Sequence, residues 1–311
     1  MIQQLTGFQI SPLYREYVWG GGRLRPGQKT AEAWVVYEEA LIIDGPFAGR
    51  TLADAAASLG SDLLGRRAVE RTGLRFPLLI KLLDCADWLS LQVHPNDEQA
   101  AVLEGPGFFG KTEAWHFIET EPGAQIICGL KPGVDRSLVA RAIQDGTILN
   151  YVQYLPVAAG NSVLINSGTI HALGPGILLY EVQQTSDITY RVFDWNRPAS
   201  AGRKLHIEQS MAVVDTDRTA AMVAAPAGEG ENEVVRSGYF SLRLGSGIFS
   251  RDTRGESFHV LTATSGAVHV AGSGWAADLP FLGSLLIPAA CGAYQVETLP
   301  GGRVLCAAVD V

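Results

Sequence analysis

The sequence predicts an all-β protein made of two jelly-roll β-sandwich lobes, with helical insertions in the first lobe. Short apolar runs recur at regular spacing in the last third of the chain, at 239–244, 258–263, 266–271, 284–287, 294–297 and 304–309. Evenly spaced short strands are typical of a sandwich or a jelly roll. The chain also contains 35 Gly and 15 Pro, which favour turns between short strands. Its 311 residues are enough to form two such lobes.

The first 220 residues mix strands with helical segments. Apolar residues at helical spacing predict helices at 51–70, with Thr51 as the N-cap, and at 135–144. Asn96 is the expected N-cap of a short helix that ends before Gly105, and strands are expected at 33–37, 77–83, 88–94 and 111–119. The segment 220–233 is rich in Ala, Gly and Glu and is interpreted as a linker. It would separate a catalytic domain at 1–219 from a C-terminal lobe at 234–311.

Composition and charge argue against some classes of binding partner and indicate the cellular compartment of the protein. The formal net charge is −8, which argues against binding to nucleic acid or to an anionic membrane surface. The first residues lack the basic start and apolar run of a signal peptide, and no apolar stretch has the length of a transmembrane helix. We therefore expect a cytoplasmic protein. Its four cysteines include no C-x-x-C pair and are expected to be reduced and mostly structural.

The segment 88–94 carries a polar row on an otherwise apolar strand. Side chains alternate across a strand, so Leu89, Leu91 and Val93 face one way. The polar residues that alternate with them face the other way; these are Ser90, Gln92 and His94. A solvent-exposed face would explain the pattern as well as a functional site would.

Three further segments add chemistry-bearing side chains, and the first two also have an ordinary structural explanation. Lys111 and Glu113 share a strand face and could form an ion pair on an edge strand; His171, between apolar residues and glycines, could be a hydrogen-bonded core histidine. Glu181 shares a face with Gln183 and is followed one hairpin later by Arg191. Together the segments can converge inside a jelly roll. Two imidazoles, a carboxylate and an amide oxygen suit a divalent ion such as zinc in an open, catalytic site.

These segments resemble a known family. The motifs are Gln92-Val93-His94-Pro95, Gly110-Lys111-Thr112-Glu113, Gly168-Thr169-Ile170-His171-Ala172, Glu181-Val182-Gln183-Gln184 with Asp187 and Arg191, and the opening Tyr17-Val18-Trp19-Gly20-Gly21. Their order and spacing are similar to those of type I mannose-6-phosphate isomerases, in the short bacterial form, which belong to the cupin superfamily. The resemblance covers nearly the whole chain and is most specific at 88–116 and 161–195.

The resemblance implies a cupin fold, one zinc ion per chain and a set of site residues. The implied zinc ligands are Gln92, His94, Glu113 and His171. Arg191 would be the catalytic arginine, with Lys111, Glu181 and Asp187 in or beside the site. The implied substrate contacts are Trp19, Ser90, Lys111 and Arg191.

The implied reaction interconverts mannose 6-phosphate and fructose 6-phosphate through a cis-enediol. Developing negative charge on two oxygens calls for a metal ion or a guanidinium, and a base must collect the proton. Glu181, Asp187 and Lys111 all remain candidates for that base. Arg15, Arg23 and the glycines 20–22 are candidate phosphate contacts. The alternatives are a cupin metal oxygenase and a non-catalytic cupin that binds a sugar phosphate.

Overall fold

The computed structural model describes residues 5–197 and 203–309, and most of its regular structure is antiparallel β-sheet. This confirms the all-β prediction. The strands up to the middle of the chain are β1 Phe8–Ser11, β2 Leu13–Arg15, β3 Glu32–Val36, β4 Leu41–Ile42, β5 Leu78–Cys85, β6 Leu91–Val93, β7 Glu113–Thr120, β8 Gln125–Leu130, β9 Val152–Pro156, β10 Ser162–Ile165, β11 His171–Leu173, β12 Ile177–Gln184 and β13 Tyr190–Phe193.

The remaining strands follow the second half of the chain. They are β14 Met222–Val223, β15 Gly230–Arg236, β16 Phe240–Ser246, β17 Ile248–Asp252, β18 His259–Ser265, β19 Val268–Gly272, β20 Trp275–Leu279, β21 Ser284–Ile287, β22 Ala293–Thr298 and β23 Arg303–Val309. The six strands expected after residue 233 are all present, each within about two residues of its expected start. The strand expected at 88–94 is shorter than predicted, because only 91–93 pair in regular register.

Six short helices complete the described residues: α1 Leu52–Leu59, α2 Ser61–Leu64, α3 Arg66–Thr72, α4 Asp97–Leu103, α5 Arg136–Gln144 and α6 Ile207–Val213. Thr51 and Asn96 cap α1 and α4 through their side chains, as predicted. Asp135, the expected first residue of the third helix, caps α5 in the same way. None of these helices is long and apolar enough to cross a membrane, and the cytoplasmic location stays a prediction.

The prediction of a single helix at 51–70 is wrong, because two glycines interrupt the helical segment. Gly60 has φ of 54° and Gly65 has φ of 86°, values that glycine adopts without the steric cost other residues incur. At Gly65 the backbone of Glu256 also approaches so closely that a Cβ would lie 2.4 Å from it. The leucine spacing persists across the break at Gly60, from Leu59 to Leu63 and Leu64, and it therefore suggested one continuous helix.

The chain divides into two compact units, each of which is described by itself. Unit 1 comprises 1–14, 33–82 and 225–311, and unit 2 comprises 15–32 and 83–224. Residues 33–82 were expected in the catalytic domain, but they pack within unit 1, where Phe76 meets Phe258 with ring centroids 4.7 Å apart. The expected linker contains β14 and the start of β15. The assignment of catalysis to a domain at 1–219 stays a prediction.

Unit 1 contains two antiparallel sheets, ordered β15-β16-β23-β18-β21-β1-β4 and β17-β22-β19-β20. An apolar core contains residues from both sheets, including Leu261, Leu285 and Val296. Unit 2 contains the sheet β13-β6-β11-β8-β9 and a second sheet whose order begins β14-β10-β7-β12. Each face of the five-stranded sheet contributes to a different core cluster. Leu91 and Val93 belong to a cluster with residues of α5 and α6, whereas Cys128 and Leu173 belong to a cluster with residues of β7 and β12.

Unit 1 also buries a polar network around His259 of β18. The Nδ1 atom of His259 lies 2.7 Å from the Tyr294 hydroxyl, and Arg251 forms an ion pair with Glu231 at 2.7 Å. Burial, together with the nearby Arg251 guanidinium, lowers the pKa of His259 from the ordinary 6.5 to about 3. The imidazole is therefore neutral at pH 7.

This network predicts a pH dependence of stability. Below pH 6.5 the unfolded chain protonates His259 while the folded chain does not until about pH 3, so this residue lowers stability as the pH falls through that window. The slope is at most about 1.4 kcal/mol per pH unit. The thermal midpoint of His259→Gln is expected to fall less between pH 7 and pH 4.5 than that of the wild type. Parallel curves for the two proteins would contradict this role.

Candidate functional site

The five-stranded sheet of unit 2 aligns a row of polar side chains. Arg191 of β13 pairs with Gln92 of β6, Gln92 pairs with His171 of β11, and His171 pairs with Cys128 of β8. Directly paired residues project from the same face of a sheet. Since His94 follows Gln92 by two residues, it shares that face. The row predicted on β6 therefore extends to the paired residues on β13, β11 and β8.

The second sheet of unit 2 contributes carboxylates. Glu113 on β7 pairs with Gln183 on β12, and Trp115 pairs with Glu181 two residues further along. All four side chains are buried. The indole Nε1 of Trp115 donates a hydrogen bond of 2.9 Å to Glu181 Oε2, which holds that carboxylate in place.

His94, Glu113 and His171 converge on one point. The Nε2 atoms of His94 and His171 lie 3.5 Å and 3.4 Å from the two oxygens of Glu113. One ligand atom from each of the three residues lies within 4.8 Å of the others, and all three residues are buried. The amide nitrogen Nε2 of Gln92 lies 3.3 Å from His171 Nε2, and Ser90 Oγ donates to Gln92 Oε1 at 3.3 Å, so a 180° flip of the amide would be needed to turn its oxygen toward the cluster. Four of the predicted residues are therefore arranged around one small volume, with Ser90 behind Gln92.

Backbone carbonyls determine which nitrogen of each imidazole faces the cluster. His94 Nδ1 lies 2.8 Å from the carbonyl oxygen of Ile188, and His171 Nδ1 lies 2.8 Å from that of Thr169. A carbonyl oxygen can only accept, so both Nδ1 atoms carry the proton and a neutral ring presents a bare Nε2. Burial, with the Lys111 ammonium nearby, lowers the pKa of His171 from 6.5 to about 4. The donor set fits a divalent metal ion, because imidazole ligands in metal sites are held in this way.

Lys111 lies beside the cluster. Its Nζ is 2.9 Å from Glu113 Oε2 and 3.2 Å from His94 Nε2. The two residues are therefore close, although β7 begins at Glu113 and Lys111 precedes the strand that was expected to carry both. Lys111 and Glu113 contribute opposite formal charges to the cluster. A bound divalent cation, whose imidazole ligands must be neutral, would leave the cluster with a net charge of about +2, which is suited to an anionic ligand in an otherwise acidic protein.

The other predicted catalytic residues differ in exposure. Glu181 is buried, whereas Asp187 is exposed. Arg191 is half-buried; its Nη1 donates to the Lys204 carbonyl at 2.8 Å, and its buried Nε makes no hydrogen bond within the described residues. Burial, with the Arg203 guanidinium nearby, lowers the pKa of Arg191 below its ordinary value. The structure thus places Arg191 in the row of Gln92 and leaves part of its guanidinium uncommitted.

The opening Gly-rich segment serves packing. Trp19 is 3% exposed and belongs to an apolar core cluster of unit 2, so its role in substrate binding stays a prediction. Arg23 donates from Nε to Asp84 Oδ1 at 2.7 Å and from its backbone N to Oδ2 at 2.6 Å. A Cβ on Gly21 would lie 2.3 Å from that same carboxylate. Close approach to Asp84 therefore accounts for Gly21, and Arg23 is committed to this ion pair.

Two kinds of residue at the site were missed from the sequence. Cys128 shares the row of His171, and burial together with the Glu113 carboxylate raises the pKa of its thiol to about 12.

Gln184 accepts from the Thr112 backbone N at 2.9 Å and donates to Asp97 Oδ1 at 2.9 Å. These bonds hold the segment that carries Lys111. The signal for Gln184 was its position directly after Glu181-Val182-Gln183, but only the fold shows what it contacts.

Comparisons with known proteins agree on one family. Residues 8–107 match the model of the phosphomannose isomerase type I catalytic domain. The chain is 36% identical over 250 residues to the probable mannose-6-phosphate isomerase GmuF of Bacillus subtilis, covering 75% of this chain and 77% of that protein. It is 38% identical over 216 residues to the mannose-6-phosphate isomerase of Streptococcus mutans, covering 65% and 66% of the two chains.

Solved structures show the same fold. The crystal structure of the mannose 6-phosphate isomerase from Bacillus subtilis superposes with a TM-score of 0.82 at 26% identity and covers 97% of this chain and 99% of that one. A mutant of phosphomannose isomerase from Salmonella typhimurium superposes with a TM-score of 0.79 at 15% identity and covers 99% of this chain and 100% of that one. The sheets described above therefore form a cupin fold, as predicted. By fold and by sequence, this chain belongs to the type I mannose-6-phosphate isomerase family.

Proposed function

We propose that this chain is a zinc-dependent isomerase that interconverts mannose 6-phosphate and fructose 6-phosphate through a cis-enediol. One observation carries the proposal: the buried cluster of His94, Glu113 and His171, in which carbonyl contacts turn both imidazole Nε2 atoms toward one carboxylate. Gln92 is the proposed fourth ligand. An amide in that position suits zinc, which needs no redox chemistry, better than it suits the iron of an oxygenase.

The chain's own residues would stabilise charge and move a proton. A zinc ion held by these ligands would act as a Lewis acid for the negative charge that develops on the substrate oxygens. Arg191 would stabilise the same charge with a planar guanidinium whose Nε is uncommitted within the described residues. Lys111, which is also buried beside the cluster, would donate a hydrogen bond to a substrate oxygen.

Glu181 is the proposed base for the carbon-bound proton. It is buried and its Oε2 accepts from Trp115, so it is positioned in a site from which water can be excluded. Asp187 is exposed, and a solvated carboxylate is a weaker base because water stabilises its charged form. We therefore favour Glu181 over Asp187, and place Asp187 at the rim of the site.

The proposal predicts activity that depends on both metal and phosphate. In a coupled assay the purified protein is expected to convert mannose 6-phosphate, to lose that activity after chelation and to regain it with added zinc. Free mannose should be a much poorer substrate. Turnover unaffected by complete metal removal would refute the zinc proposal. Iron as the bound metal together with oxygen consumption would indicate an oxygenase, and tight binding of mannose 6-phosphate without turnover would indicate a binding protein.

A further inference from the structure

We propose that Gln183 is a positioning residue that holds the loop after β12 and, through it, the imidazole of His94. The inference rests on the proposed metal role of His94. It concerns an amide that is neither a proposed metal ligand nor a proposed substrate contact.

The amide of Gln183 is fully buried, and its orientation is determined by its partners. Its Nε2 donates to the carbonyl of Gln184 at 3.2 Å and to the carbonyl of Ser186. Both partners can only accept, so the amide nitrogen must face the loop and the oxygen must face away from it. Oε1 makes no hydrogen bond within the described residues. The fold therefore uses this side chain as a donor, which a glutamate could not be at neutral pH.

The loop that Gln183 holds carries the carbonyl that orients His94. A second hydrogen bond holds Ser186, because its Oγ donates to the Phe109 carbonyl at 2.8 Å. Two residues further on, the Ile188 carbonyl lies 2.8 Å from His94 Nδ1. If the loop moved, His94 would lose the acceptor that keeps its proton on Nδ1. The other tautomer has a protonated Nε2, which cannot bind a metal ion.

The pairing of β12 with β7 explains why position 183 carries an uncharged hydrogen-bond donor. Gln183 pairs directly with Glu113 across β12 and β7, so the two side chains lie on the same face. A second carboxylate at this position would repel Glu113 in a buried site and would also face two carbonyl oxygens. An amide supplies the two donors without adding charge beside the proposed metal.

The test compares metal binding in two variants of similar structural cost. Gln183→Met removes the two donors at similar volume. Ser162→Ala is the matched control, because it removes a buried hydrogen bond of 2.9 Å to His116 Nδ1 in the same sheet. His116 projects from the face of β7 opposite to Glu113. Zinc affinity is measured by competition with a chromophoric chelator, and the visible spectrum is recorded for the cobalt(II)-loaded proteins.

Gln183→Met is expected to bind zinc about 10–100-fold more weakly than the wild type and to show an altered cobalt spectrum, as expected for loss of an outer partner of a metal ligand. Ser162→Ala is expected to match the wild type in zinc affinity and in the cobalt spectrum, even if its melting temperature falls as much as that of Gln183→Met. If Gln183→Met does not fold, Ser186→Ala is the second test, because it removes the hydrogen bond to the Phe109 carbonyl. Ser186→Ala is also expected to weaken zinc binding.

Unchanged zinc affinity and an unchanged cobalt spectrum in a folded Gln183→Met protein would overturn the inference, and so would unchanged affinity in Ser186→Ala if Gln183→Met does not fold. Equal weakening in Ser162→Ala would overturn it too, because the effect would then follow general stability. In those cases the wild type still binds zinc, and the proposed function stands. A wild type that binds no metal would remove the proposed function and this inference together.

Discussion

His94→Ala and His171→Ala are each expected to lose the bound metal and the isomerase activity together. Each change deletes one of two imidazoles whose Nε2 atoms face Glu113 at about 3.5 Å. Loss of a partner behind a metal ligand typically costs about 10–100-fold in metal affinity, so the loss of a ligand itself should exceed that range. Metal content by elemental analysis and turnover of mannose 6-phosphate are measured on the same preparations.

A third buried histidine provides the control for these two variants. His116 lies on the same strand as Glu113 but on its opposite face, where its Nδ1 contacts Ser162 Oγ at 2.9 Å. His116→Ala is expected to retain the metal while losing stability. Full metal retention in both His94→Ala and His171→Ala would rule out the assigned ligand set.

Arg191→Ala is expected to lower kcat by about 10²–10³-fold, the usual cost of a lost donor that stabilises transition-state charge. The change should leave zinc content nearly unaltered and change KM less than kcat. The backbone of Arg191 makes its own hydrogen bonds to His206, at 2.8 Å and 3.2 Å, which the substitution leaves intact. Arg191→Lys is expected to recover only part of the rate, because a point charge does not reproduce the planar fork.

Two other roles for Arg191 give different results. A residue that only anchors phosphate would mainly raise KM, and a residue that only packs would mainly lower the melting temperature. Kinetics, bound zinc and thermal stability measured on one preparation separate the three roles. Near-normal kcat in a folded, zinc-loaded Arg191→Ala protein would exclude the catalytic role.

Local patterns predicted the strands and caps well, and they failed where a distant segment decided the local structure. The strands of the last third of the chain follow from alternation and turn residues alone. The helix expected at 51–70 is interrupted at Gly60 and Gly65, and at Gly65 the backbone of Glu256, nearly 200 residues later, leaves no room for a Cβ. The glycines of the opening segment were candidate phosphate contacts, with a simple turn as the alternative, and Gly21 is needed for the approach of Asp84.

The sequence by itself determined which residue types are present for a metal centre and which of them share a strand face. Alternation put Gln92 with His94, and Lys111 with Glu113, and the structure keeps both pairs together. Whether those polar faces met solvent or one another was open, because alternation is the same in either case. The tertiary structure decided this by bringing Glu113 of the second sheet against His94 and His171, with all three side chains buried.

Only the tertiary structure decided the register, the tautomers and the supporting residues of the site. Cross-strand pairing of Arg191, Gln92 and His171 joins segments about 80 and 100 residues apart, and no local pattern specifies such a register. The proton positions on His94 and His171 depend on the carbonyls of Ile188 and Thr169. A backbone carbonyl has no signature in the sequence, since every residue carries one, and its direction is determined only when the chain has folded.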